Sequence, residues 1–338
     1  MRGKHHIIIE TENLKFEFEI KRNITVVQGD SATGKTTLVD LIAEMKHGRN
    51  NRGIRFFSDV PCEVYAGDED RWRYELEGMA GSIVFIDEDY RFIYSREFAE
   101  YLGTADNYFV LITRKPLRNL PYSINEIYGI RTSGKYHFPD QIYHEFYPIY
   151  MDNYDTERIR GDERKTQLMI LVEDSRAGYQ FFEQVCSIHS VVSAGGNTGI
   201  YSRLTAYSDE RSILVIADGA AFGSYIENVV RYAERKGQIG LYFPESFEWM
   251  VLKSGVIRNE SIKEVLSHPE DFIDSEKYLS WERFFTSILR EKTSEIPYLR
   301  YNKEHLPDFY TSPQASGLIM KVMPEEIRDI LLGVSSRI

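Results

Sequence analysis

One stretch constrains this chain more than any other: Gly29-Asp30-Ser31-Ala32-Thr33-Gly34-Lys35-Thr36. It fits the spacing G-x-x-x-x-G-K-[ST] in full, follows the β-branched run Ile24-Thr25-Val26-Val27, and precedes a helix expected over 36–45. A glycine-bounded turn from strand to helix calls for an α/β layer arrangement, with the helix folding back over the sheet that the strand enters. Gly29 and Gly34 let the backbone curl so that successive N–H groups converge on one anion. Lys35 adds an ammonium, Thr36 and Thr37 add hydroxyls, and the helix N-terminus adds a favourable dipole. The bland alternative is a glycine turn carrying an exposed lysine.

The rest of the first half keeps the same rhythm. Residues 14–20 alternate apolar and polar with period two, as a half-buried strand does. β-rich patches at 54–58 and 62–66, a charged helix over 69–77, an apolar strand at 82–86, a helix over 94–103 and an apolar strand at 108–113 follow. Continuous apolar strands alternating with helices predict a parallel sheet covered on both faces. From 141 the composition changes: 143–154 is aromatic and irregular, and 156–165 is densely charged. Arg158, Arg160, Arg164 and Lys165, interspersed with acids, read as a solvated linker, with contact to a phosphate backbone as the alternative. The α/β pattern then restarts with strands at 167–173 and 212–218 and helices over 179–188 and 224–235. The tail is expected to be helical from 275, with Trp281, Phe284, Phe285, Ile288 and Leu289 as a core stripe. The fold class expected is α/β: a first domain over 1–150, a connector over 151–166, a second domain over 167–265 and a helical region over 266–338.

Composition excludes several alternatives. At 42% hydrophobic and 28% charged, the chain has enough apolar material to fold. Its longest apolar runs, such as Ile83–Ile86 and Phe109–Ile112, fall far short of the roughly 20 residues a membrane helix needs, so no membrane is expected as a partner. The start, Met1 to Glu12, lacks the apolar core of a signal peptide, and the terminal pair His5-His6 is expected to be solvated. Two distant cysteines, Cys62 and Cys186, exclude a disulfide framework, and a cytoplasmic location is expected. A net charge of −11 excludes a broad basic nucleic-acid surface and confines any such contact to a local site.

The glycine-lysine-threonine motif resembles that of the P-loop NTPase superfamily. The resemblance implies that Gly29, Asp30, Ser31, Ala32, Thr33, Gly34, Lys35, Thr36 and Thr37 cradle the phosphates of a nucleotide, with Thr36 on Mg²⁺. The family's second element, an apolar strand ending in an acid, is matched by Ser82-Ile-Val-Phe-Ile-Asp87-Glu88. Asp87 would hold Mg²⁺ and Glu88 would polarise the attacking water, alongside Lys35 as catalytic residues. The Asp-Glu pair looks like the ATP-binding-cassette and recombinase-like branch, and the lack of an [NT]KxD motif favours ATP. Thr113, at the end of the next strand, would sense the γ-phosphate, and Arg114 would act in cis or across a dimer; a strand end with a solvated arginine is the alternative. No Leu-Ser-Gly-Gly-Gln segment is present, which speaks against cassette-type sandwiching of nucleotide.

Three segments of the second half resemble the Toprim domain of topoisomerases, primases and nucleases of the overcoming-lysogenisation-defect type. They are Ile170-Leu-Val-Glu173, Val191 to Asn197 with Gly195-Gly196, and Leu214-Val-Ile-Ala-Asp218-Gly-Ala220. The resemblance implies a Mg²⁺ or Mn²⁺ site at Glu173 and Asp218, with Glu173 also acting as acid or base. Ala220 stands where the family carries a second Asp, and Asp174 where it carries a glycine. Glu245 or Glu248 would supply the missing metal ligand. An ATPase joined to such a domain implies a nucleotide-controlled nuclease acting on DNA or RNA in defence against phage. The alternative is an ATP-gated switch or scaffold that binds a protein partner, or a second copy of itself, and cleaves nothing.

Overall fold

A computed structural model of the chain describes residues 1–29, 34–47, 53–133, 142–150, 154–156, 159, 168–207 and 212–333. Asp30, Ser31, Ala32 and Thr33 of the glycine motif lie outside these, as do Arg158, Arg160, Arg164 and Lys165. The chain is α/β throughout and divides into two units. The first is Met1–Met151 with His268–Ser280, the second Asp152–Ser267 with Trp281–Ile338. Among the described residues no helix is long and apolar enough to cross a membrane.

The first unit runs β1 (His5–Glu10), β2 (Leu14–Ile20), β3 (Ile24–Val27), α1 (Lys35–His47), β4 (Arg55–Phe57), β5 (Cys62–Val64), α2 (Trp72–Glu77), β6 (Ile83–Ile86), α3 (Arg96–Leu102), β7 (Tyr108–Ile112), β8 (Ile127–Ser133) and β9 (Ile142–Pro148). Nine strands form one sheet in the order β4-β1-β2-β9-β8-β3-β7-β6-β5. The β8-β3-β7-β6-β5 half is parallel, as the continuous apolar runs predict. The other half is mixed: β1 pairs antiparallel with β2 and β4, and β8 with β9, while β2 and β9 pair parallel. The sheet is therefore mixed, because the short connections β1–β2 and β8–β9 leave no room for a crossover helix.

The aromatic stretch expected to be irregular is in large part strand β9. Its register on β2 sets His144 opposite Phe16, and the two rings stack at 4.7 Å; Phe146 stacks on Phe18 at 4.2 Å. Cross-strand ring pairs of this kind hold a strand that the sequence by itself reads as irregular. His5 corrects a second expectation. It is 6% exposed, and its Nδ1 lies 2.7 Å from Asp59 Oδ2. Residues 268–280, expected within the C-terminal helical region, belong instead to the first unit. There the buried Asn23 amide donates to the carbonyls of Ser275 and Tyr278, both at 3.0 Å, and Ser275 Oγ donates to the Ala105 carbonyl.

The second unit contains β10 (Tyr154–Asp155), β11 (Met169–Val172), α4 (Ala177–Val185), β12 (Ser190–Ser193), α5 (Asn197–Ala206), β13 (Ile213–Ile216), α6 (Gly223–Lys236), β14 (Ile239–Tyr242), α7 (Phe247–Lys253), α8 (Glu260–Ser267), α9 (Trp281–Thr293), α10 (Asp308–Thr311), α11 (Pro313–Met320) and α12 (Glu325–Leu332). Its sheet is ordered β10-β14-β13-β11-β12, parallel except for β10 at the edge. The chain moves from β11 to β12 on one side and then returns to β13 on the other. The sheet thus reverses its direction of growth between β11 and β13, which opens a crevice at their carboxyl ends. On α9, Trp281, Phe284, Phe285 and Leu289 are buried as their helical spacing predicts, while Ile288 is half-buried.

Candidate functional site

In the first unit the sequence motif lies where β3 passes into α1. Gly29 has φ +148° and Gly34 φ +95°, both in the region that side chains with a Cβ rarely adopt. Lys35 is buried at the helix start, and its ammonium turns back to donate to the Gly29 carbonyl at 2.5 Å. Thr36 and Thr37 are exposed on the first turn of α1. Behind the loop, the stacked Phe16 and His144 rings bound the space beside Gly34.

Asp87 and Glu88 follow directly on β6. The sheet order sets β7 between β3 and β6, so the two acids stand two strand spacings, about 10 Å, from the axis of the glycine loop's strand. Asp87 Oδ1 accepts the Glu88 N–H at 2.7 Å. Glu88 pairs with Arg114 across 2.9 Å, joining the candidate base to the candidate arginine. Thr113 is fully buried. Its hydroxyl is engaged by the Lys115 carbonyl and N–H and by the Tyr94 hydroxyl, each within 3.0 Å. It therefore shapes the turn after β7, while the half-exposed Arg114 is the outward-facing group at that tip.

In the second unit Glu173 and Asp218 end the adjacent parallel strands β11 and β13 and line a cavity of about 20 Å³ at the crevice. Asp174, Glu248 and Lys303 line the same cavity; Glu245 does not, and its carbonyl instead accepts the Ala220 N–H. Glu173 Oε2 accepts the Asp218 N–H at 2.8 Å, and Asp218 Oδ1 accepts the Phe247 N–H at the start of α7. Asp174 caps α4, accepting from the N–H groups of Gly178 and Tyr179. Burial raises the pKa of both Glu173 and Asp218, and neighbouring carboxylates push in the same direction.

Glu248 is 1% exposed. One of its oxygens, Oε1, accepts the Tyr301 hydroxyl at 2.7 Å and lies 3.4 Å from Lys303 Nζ, while Oε2 has no hydrogen-bond partner among the described residues. Lys303 also donates to Glu282 at 2.5 Å. Burial alone would lower the Lys303 pKa, yet Glu248, Glu282 and Asp218 together raise it, so the ammonium stays charged. Among the described residues no three His, Cys, Asp or Glu side chains are gathered so as to hold a metal ion. The donor chemistry nonetheless suits one hard divalent cation, because carboxylate oxygens predominate and Glu248 Oε2 is buried without a partner.

Glu282, Tyr301 and Lys303 were not expected as site residues. Glu282 follows directly on the apolar Trp281 of α9, and Tyr301 and Lys303 sit in the unpatterned run 299–305, so no motif or period marks them. The two cysteines take no part. Burial pushes the thiol of Cys62 up to about 11 and that of Cys186 up to about 12, which leaves neither nucleophilic near neutral pH. A scan of protein-family models finds none that matches this chain, and a search of curated proteins finds no significant match.

Proposed function

We propose that the chain binds and hydrolyses ATP in its first unit, and that nucleotide state governs a metal-dependent, Toprim-like cleft in its second unit that acts on nucleic-acid phosphodiesters. The observation that carries the ATPase reading is the β3–α1 turn. Two glycines in left-handed backbone regions bound it, Lys35 closes over it, and an Asp-Glu pair stands two strands away. In this reading Lys35 would exchange the Gly29 carbonyl for the β- and γ-phosphates, and Thr36 and Asp87 would hold a Mg²⁺ whose chemistry would be to neutralise phosphate charge. Glu88 orients and deprotonates the attacking water once Arg114 releases it. An exposed ion pair of this kind is worth at most about 1 kcal/mol, so exchanging the Glu88 partner for a phosphate costs little.

In the second unit Glu173, Asp218 and Glu248 would hold the divalent cation, whose chemistry would be to activate water and stabilise charge on a phosphate. Glu173, with its raised pKa, would hold or deliver a proton at its carboxyl. Purified protein incubated with supercoiled plasmid and with structured RNA, in Mg²⁺ or Mn²⁺ and with or without ATP, tests this. Cleavage that disappears in Glu173→Gln/Asp218→Ala is expected.

The second reading, an ATP-gated switch with a non-cleaving second unit, is favoured by two features. Ala220 is buried where the family carries an acid, and Lys303 stands among the carboxylates. Intact nucleic acid in every condition, with ATP turnover retained, would select it. The role in phage defence is tested in the host: equal phage resistance with and without the gene removes it.

A further inference from the structure

The cation in the acidic cleft is Lys303. Four carboxyl groups line the cavity, those of Glu173, Asp174, Asp218 and Glu248, and the ammonium of Lys303 lines it with them. Asp174 is committed to the amides at the start of α4, and Glu173 and Asp218 each spend one oxygen on a backbone N–H. Glu248 is the deepest of them, and Lys303 lies against its Oε1 while Oε2 stays unpartnered. A cavity of about 20 Å³ has room for one water molecule or one ion.

We propose that Lys303 is an internal competitor for the divalent metal, occupying the cleft as a tethered cation that must yield Glu248 before a metal ion can use it. The inference rests on the metal-binding reading of the second unit. Geometry provides the path. Lys303 already holds Glu282 at 2.5 Å, so its flexible stem can withdraw towards that partner and keep its charge compensated while Glu248 turns to an incoming ion. Two cations within a few ångströms repel strongly at the dielectric of a protein interior, so lysine and metal alternate at Glu248. This assigns a reason to the absence of a gathered three-ligand group among the described residues. The side chain that would complete it is turned to the ammonium.

Mn²⁺ binding to the full chain, without nucleotide, measured by calorimetry and by the electron paramagnetic resonance signal of free Mn²⁺, tests the proposal. Lys303→Met on its own strips a partly buried cation from two glutamates and endangers folding. The comparison is therefore Glu282→Gln against Glu282→Gln/Lys303→Met, which removes the ion pair as a whole, with Glu282→Gln/Lys303→Arg as the charge-retaining control. Removal of Lys303 is expected to tighten Mn²⁺ binding at least about tenfold, and Lys303→Arg is not. Adding Glu173→Gln/Asp218→Ala is expected to erase the gain, which assigns the ion to this cleft. Equal or weaker binding after loss of Lys303, with the unaltered protein binding Mn²⁺ through Glu173 and Asp218, overturns the competitor role alone. No binding at this cleft in any of the proteins overturns both that role and the metal reading on which it rests.

Discussion

Lys35, Glu88 and Glu173 carry distinct chemical loads, and each makes its own prediction. Lys35→Ala is expected to lower ATP turnover at least about 100-fold, since it removes the only charged donor of the glycine motif. Unchanged turnover in a phosphate-release assay would remove the nucleotide assignment. Glu88→Gln keeps the size of the side chain and its hydrogen bonding but not its basicity. It should bind ATP as the parent does and hydrolyse it roughly 100-fold more slowly; a parallel loss of binding would make Glu88 structural. Glu173 is read through stability. Its folded pKa is raised, so the folded state prefers the protonated form. The folded protein carries no penalty below the ordinary carboxylate range and loses stability as pH rises through the folded pKa. Glu173→Gln should therefore leave stability near pH 4 almost unchanged and raise it at pH 8.5 by about 1 kcal/mol or more, since each unit of pKa displacement is about 1.4 kcal/mol. Urea denaturation at the two pH values checks this, and an equal effect at both would refute the assignment of the burden to Glu173.

Helix α5 shows how a site is held by packing and not by side-chain chemistry. It enters directly from β12 through Gly195 and Gly196, whose φ values of +75° and +117° turn the chain sharply. One turn on, a Cβ at Gly199 would meet the Ala194 carbonyl oxygen at 1.9 Å, and that oxygen is backbone. Gly199→Ala must therefore push α5 away from the end of β12, beside the loop that donates Gly196 N–H to the Glu173 carbonyl. A loss of about 1–3 kcal/mol in chemical denaturation is expected, together with weaker Mn²⁺ binding if the proposed metal reading of the cleft holds. A variant as stable as the parent would show that the helix has slack. The same logic explains the element that sequence patterning missed. Strand β9 is specified by rings on β2, residues 128 positions away, and no local window contains both partners.

Division of the chain into units follows contacts, not sequence order. The sequence sets a boundary at 150, just after the composition begins to change at 141, but residues 268–280 return to the first unit and satisfy the Asn23 amide. A fragment of residues 1–150 leaves that buried amide with no partner, and an unsatisfied buried donor costs about 1–3 kcal/mol. The fragment should unfold at a lower temperature than the first unit does in the full chain, as followed by hydrogen exchange of β3 and β7. Equal protection would mean that 268–280 contributes nothing to stability.

Legibility in this chain divides by the range of the interaction that carries it. The β3–turn–α1 unit, the apolar strands β6 and β7, and the acids ending β6, β11 and β13 were readable because period, glycine placement and strand ends are local properties of neighbouring residues. The mixed sheet, the return of 268–280, the pairing of Glu88 with Arg114, the hydrogen bond from Tyr301 to Glu248 and the entry of Lys303 into an acidic cleft were not. Each depends on groups brought together from distant positions, where charge and burial act through space and leave no periodic trace along the chain.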